Sequence, residues 1–183
     1  MVPLRVLPVL AATGVLIGLA APSGAAAAAP CAGADVQPSA GNLSSVSATT
    51  HCLLNQERTA RGLTPTRSNR RLRTASLSYS RRMVAESFFA HVAPDGQALK
   101  TRLRLARYIT PDDGYIVGEN LAWASGTQST PRAIVAAWMA SPGHRRNVLH
   151  PRYTEIGLGF VLGTPADRSQ GATVTANYGA QRA

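Results

Sequence analysis

Hydrophobic periodicity changes character once along this chain, and that change restricts the fold class. Up to about residue 141, apolar residues recur at three- and four-residue steps, the signature of helices with one buried stripe. Two-residue alternation appears late, over Glu155–Leu162 and again over residues 172–178, where Gly157 and Gly159 signal close backbone approach. Helices early and strands late describe an α+β domain with helices packed on an antiparallel sheet. Four helices are predicted. The first covers residues 47–62, with Leu53, Leu54 and Ala60 as apolar contacts, Asn55, Glu57, Arg58 and Arg61 as polar positions, and Gly62 as a stop. The second covers 69–87, where Leu72, Ala75, Ser76, Tyr79, Met83 and Glu86 form a mostly apolar inward stripe. A third covers 97–108, with Leu99, Leu103 and Ala106 on one face and basic residues on the other. The fourth starts at Pro131, capped by Thr130, and stops at Ser141-Pro142-Gly143. Between the third and fourth, Tyr115–Ala124 reads as a short strand or an extended loop.

The N-terminus is of another kind. Arg5 is followed by an apolar run over residues 6–21 and an Ala-rich stretch over 25–29, the parts of a secretory signal peptide. Pro3, Pro8 and Pro22 interrupt the run, which falls short of the roughly 20 apolar residues of a membrane span. Residues 1–29 are therefore expected to be a cleaved leader, and the mature protein to be extracellular with no membrane span. A lipid anchor on Cys31 fits less well, because Pro30 stands where a small residue should precede the cysteine. Residues 30–46, rich in Ala, Gly, Ser and Pro, are expected to be a flexible arm, and residues 47–183 one domain. Cys31 and Cys52 are the two cysteines of the chain, and outside the cell they are expected to bridge; two free thiols are the alternative.

The formal net charge is +10, and of the 19 Lys and Arg residues only Lys100 is a lysine. A positive field favours anionic partners, which for a secreted protein means a cell-wall polymer or lipid. Nucleic acid is not expected: no nucleic-acid motif is present, and aromatics are too few for a base-stacking platform. A monomer is expected.

Three short phrases hold most of the chemistry. They are Phe88-Phe89-Ala90-His91, Gly118-Glu119-Asn120-Leu121-Ala122, and the run from Trp138 through Ser141-Pro142-Gly143-His144 to Asn147. His91 lies beside a Pro-Asp-Gly turn and His144 at a helix terminus, so both rings are free to project. Linear spacing alone matches no metal motif. His51 and His150 lack such flanks and read as structural.

In order and spacing, these phrases resemble the CAP superfamily, also called the SCP domain, of cysteine-rich secretory, antigen-five and pathogenesis-related class 1 proteins, in a bacterial form. The resemblance also rests on Leu54-Asn55-Gln56-Glu57-Arg58, Asp95-Gly96, Val148-Leu149 and Tyr153-Thr154-Glu155-Ile156-Gly157-Leu158-Gly159, and covers residues 47–179. It implies a three-layer α-β-α sandwich around a central antiparallel sheet. It also implies a cleft where two histidines and two acids meet, holding zinc or another divalent metal in some members. Carried over by position, the histidines are His91 and His144 and the first acid is Glu119; the second acid's place holds Ser141. Two imidazoles and one carboxylate would still match the ligand count of an open zinc site.

Three functions follow from this set. One is a binding module whose cleft holds a small amphiphile or wall component, with or without a metal. The second is a hydrolase of peptide, ester or wall polymer, using His91, Glu119 and His144 as catalytic residues, with Glu119 as general base and the histidines holding a metal. A variant of it uses Ser141 as nucleophile and His144 as base. The third is a buried hydrogen-bond network that orders the loops.

Overall fold

The computed structural model describes residues 31–110 and 114–181. The leader expected over residues 1–29 lies outside the described residues. The described residues hold five α-helices: α1 (Leu43–Thr59), α2 (Arg70–Ala85), α3 (Leu99–Leu105), α4 (Pro131–Ala140) and α5 (Pro142–Val148). Four strands, β1 (Arg67–Ser68), β2 (Tyr115–Ala124), β3 (Glu155–Leu162) and β4 (Ala172–Gln181), form one sheet in the order β1-β3-β4-β2. The three long strands are antiparallel, as expected; the two-residue β1 joins β3 in parallel and makes the sheet mixed.

Helices α2 and α3 cover one face, and α1, α4 and α5 the other, which is the α-β-α sandwich. Strand alternation feeds both layers. Ile156, Leu158, Phe160, Val174, Ala176 and Tyr178 join Val46, Leu54, Ile134, Trp138 and Val148 in the larger core. On the other side Leu72, Ala75, Leu103, Tyr108 and Ile109 pack together, next to a smaller group of Tyr79, Met83, Ala93 and Leu121. The stripe read on α2 is buried from Leu72 to Met83; Glu86 leaves it, standing exposed just past the helix end and paired with Arg82. The serines of α2 bond into the sheet, Ser76 Oγ to the Gly157 carbonyl at 2.8 Å and Ser80 Oγ to that of Gly159 at 2.7 Å.

The N-terminal part differs from expectation. In place of a flexible arm over 30–46, α1 begins at Leu43 and residues 31–42 form a strap tied at several points. Cys31 and Cys52 are bridged. Thr49 Oγ1 donates to the Ala32 carbonyl at 2.7 Å, Arg132 N to that of Ala34 at 2.9 Å, and the Arg132 side chain pairs with Asp35. The disulfide closes a loop of 21 residues' separation, worth about 3 kcal/mol in chain-entropy terms. The bridge is the one expected; the other ties escape a reading of composition because each is made to a residue distant in sequence.

Helix α5 is a second departure. Ser141-Pro142-Gly143 reads as a stop after α4, yet the chain restarts at once, with Pro142 in the first turn of a new helix. Proline ends one helix and is well suited to begin another, so the same phrase does both. Helix α5 carries His144 and Asn147 to the outer edge of β2.

Candidate functional site

β2 is an edge strand over the whole Tyr115–Ala124 segment that the sequence left between strand and extended loop, and successive side chains enter opposite layers. Glu119 points toward α2 and α3. Its side chain is 2% exposed and both carboxylate oxygens are engaged: His91 Nδ1 donates to Oε1 at 2.8 Å, and Arg102 Nη2 donates to Oε2 at 2.7 Å. Arg102, 4% exposed, also donates to the carbonyls of His91 and Gln97, and its guanidinium stacks 3.4 Å from the Tyr79 ring centroid. Tyr79 in turn donates its hydroxyl to the Ala90 carbonyl at 2.6 Å. The segment bearing His91 is thus held from beneath by Tyr79, Arg102 and Glu119.

Asn120, the next residue, points into the other layer. Its Nδ2 donates to the His144 carbonyl at 3.1 Å, and Asn147 Nδ2 donates to Asn120 Oδ1 at 2.8 Å and to the Glu119 carbonyl at 3.0 Å. Trp138 Nε1 donates to the Leu121 carbonyl at 3.1 Å. The outward carbonyls of Glu119 and Leu121 are therefore capped by side chains of α5 and α4. His144, on α5, sits close enough to His91 that a charge on His91 disfavours one on His144.

Electrostatics separate the two imidazoles. The hydrogen bond to Glu119 raises the pKa of His91 above its ordinary 6.5, against the opposing effect of burial. Burial first, and the His91 charge second, lower that of His144. His91 therefore favours folding in its protonated form: that contribution is complete below pH 6.5 and fades as pH rises through the raised folded value. For His144 the sign reverses, and stability falls as pH drops below 6.5. With Nδ1 committed to Glu119, the solvent-facing nitrogen of His91 is Nε2, on a side chain 59% exposed.

The structure brings His91 and Glu119 into contact and places His144 nearby, but not as the three-ligand set expected for a metal. Among the described residues, no three His, Cys, Asp or Glu side chains are placed to hold one ion together. The reason is Arg102, which the sequence pattern puts on a solvated basic face: it occupies the second oxygen of Glu119. The residues present do not fit the implied zinc site. Glu119 instead orients an imidazole, with both oxygens already accepting hydrogen bonds rather than standing free as a general base. The Ser141 side chain makes no capping hydrogen bond at the start of α5. His51 bonds Thr66, and His150 stacks on Tyr153.

Removing the carboxylate leaves Arg102 as a buried cation without its acid. Glu119→Ala is expected to cost about 3 kcal/mol in urea unfolding. Arg102→Met beside it should recover part of that loss; no recovery in the double variant would show that burial of the charge is not the cause.

Comparisons with known proteins identify the family and the fold. The model for the family described as "Cysteine-rich secretory protein family", CAP, matches residues 52–178. "Uncharacterized protein YkwD" of Bacillus subtilis (strain 168) is 34% identical over 111 residues, 60% of this chain and 40% of its own length. An extracellular protein containing an SCP domain from Bacillus anthracis str. Ames superposes with a TM-score of 0.57 at 22% identity, over 75% of this chain and 40% of that one. An outer surface protein from Borrelia burgdorferi gives 0.60 at 14% identity, over 72% of this chain and 90% of that one. This chain thus spans about two fifths of the length of both Bacillus proteins. The structural likenesses, at such identities, speak for the fold alone. By the family match over most of its length, the chain belongs to the CAP, or cysteine-rich secretory protein, family.

Proposed function

We propose that this is a secreted, extracellular binding module whose site at the β2 edge takes an anionic amphiphile or an anionic wall fragment. One observation carries the reading: the exposed ring of His91, flanked in sequence by Phe89 and Val92, which are 44% and 51% exposed, is held by a buried Glu119 that Arg102 already neutralises. A titratable cation with exposed apolar neighbours suits a ligand with an acyl or similar apolar part and an anionic head. Close by, a cavity of about 320 Å³ between α2 and α3 shares Arg102 and Tyr79 with the site and adds Arg82, Gln97 and Leu105. Export is supported by the expected leader and by the disulfide. No helix among the described residues is long and apolar enough to cross a membrane.

The reading predicts a pH dependence of defined sign. Below its raised pKa, His91 is cationic and attracts an anion; above it the attraction fades. Binding to phosphatidylglycerol vesicles or to poly(glycerol phosphate) should be about three- to tenfold tighter at pH 6 than at pH 8. His91→Gln should flatten that difference without unfolding the domain. Equal binding by the parent protein at both pH values, or binding to neither probe, would overturn the proposal.

The carboxylate–imidazole hydrogen bond favours a second reading, a hydrolase in which His91 is the base that activates water and Glu119 fixes its tautomer. Hydrolysis of peptide, ester or wall substrates that survives in folded His91→Ala would dispose of it.

A further inference from the structure

On α1, Ser44, Ser47 and His51 follow at three- and four-residue steps and so share one helix face. That face looks onto a cavity of about 270 Å³, lined also by Ser68 of β1, Arg73 of α2, and Ile156 and Leu158 of β3. Its polar groups are not used inside the protein. The hydroxyls of Ser44, Ser47 and Ser68 make no hydrogen bond among the described residues, and exposed Arg73 has no ion pair among them. None of the described acidic residues lines the cavity. The arginines of the cavity between α2 and α3 differ, being already paired: Arg82 with Glu86 and Asp95, Arg102 with Glu119. His51 is anchored by one nitrogen, with Nε2 donating to the Thr66 carbonyl at 3.0 Å. Asn55 fixes Thr66 in turn, accepting from its backbone N at 2.9 Å and donating to its carbonyl at 3.0 Å. A carbonyl only accepts, so the proton sits on Nε2, and in the neutral ring Nδ1 keeps a lone pair. Burial lowers the pKa of His51 from its ordinary 6.5, which keeps the ring neutral at pH 7.

We propose that this cavity binds a single sugar unit bearing a carboxylate, with the acid on Arg73 and the ring hydroxyls among Ser44, Ser47, Ser68 and His51. Three arguments choose the class. A hydroxyl both donates and accepts, so three of them beside an imidazole lone pair suit a ligand that is itself rich in hydroxyls. A guanidinium with no internal acid takes a carboxylate through paired N–H donors. The volume is small for a ligand pocket and holds one ring rather than a chain. The cavity lies at the β1 edge of the sheet, opposite the β2 edge, and stands or falls separately from the binding role proposed at His91.

The test titrates the full chain with sodium glucuronate at constant ionic strength, followed by two-dimensional amide NMR. The amide signals of Ser47, Ser68 and Arg73 should move together and saturate. Glucose, which lacks the acid, should bind about tenfold more weakly. Arg73→Gln should weaken glucuronate about tenfold and leave glucose unchanged, whereas Ser47→Ala should weaken both about threefold. Both variants should keep the circular dichroism spectrum of the parent, since neither side chain has an internal partner. His91→Gln should have no effect. Acetate or inorganic phosphate moving the same signals as strongly as glucuronate would mean an anion site without sugar recognition and would overturn the proposal. So would glucose binding as tightly as glucuronate, or shifts that never saturate.

Discussion

Replacing Arg58 by alanine is expected to remove roughly 5 kcal/mol of folding stability, a loss few single domains survive at physiological temperature. Arg58 is fully buried and has no acidic partner among the described residues; its charge is met by carbonyl dipoles alone. Nε donates to Thr64 O at 2.9 Å, Nη1 to Val148 O at 2.8 Å and His150 O at 3.0 Å, and Nη2 to Tyr153 O at 3.0 Å. These bonds fasten the end of α1 to the chain leaving α5. Truncation leaves the carbonyls dry and unpaired, and adds the cavity of a long side chain. Arg58→Lys keeps the charge but loses the planar fork, and is expected to cost about 3 kcal/mol. Urea unfolding measures both. An alanine variant within about 2 kcal/mol of the parent would mean that water replaces the guanidinium at little cost.

The second large effect is expected at Gly157. A β-carbon there would overlap the backbone of Leu72 and Arg73, so no side-chain rotation relieves the clash. Helix α2 would have to lift from β3, breaking the bond from Ser76 to the Gly157 carbonyl and straining that from Ser80 to Gly159. Gly157→Ala is expected to cost about 4 kcal/mol, at the upper end for overpacking because the obstacle is backbone. Gly41→Ala is the natural control: nothing lies within 4 Å of a β-carbon there, and the change should stay within about 0.5 kcal/mol. Thermal unfolding of the pair checks the contrast. A Gly157 variant as stable as the Gly41 one would show that α2 is not held at contact distance.

What the sequence disclosed, and what it withheld, divides along the range of the interactions. Local signals were dependable. Thr130 caps α4 through Ala133 N with Pro131 in the first turn, and the α2 stripe from Leu72 to Met83 faces inward as its spacing predicts. β3 and β4 lie where alternation placed them, β4 running three residues further. Motif order led to His91 and Glu119, which do meet. The two arginines are the hardest to read. By pattern Arg58 is a polar position of the first helix and Arg102 part of a basic face, yet both are buried. Their partners are 90 to 95 residues away in the case of Val148, His150 and Tyr153, and 17 away for Glu119. Nothing within a helical turn announces such a partner. The same blindness hid the strap and turned an expected metal ligand into a hydrogen-bonded orienting group. One clue to Arg58 lies in its neighbours: Leu54, one turn earlier on the same helix face, is an expected core contact, so the arginine points the same way.

A single peptide link on β2 separates the carboxylate beneath His91 from the amide that grips α5, and its place is set by the pairing of Glu119 with Asn177 and Asn120 with Ala176. Deleting one residue early in β2 and letting the strand slide would exchange their faces. Asn120 would then confront Arg102, and Glu119 would confront Asn147, disarming both histidines although neither had been touched. Strand alignment is therefore itself a working part of the site, and insertions or deletions in β2 should be far less forgivable than substitutions at the histidines.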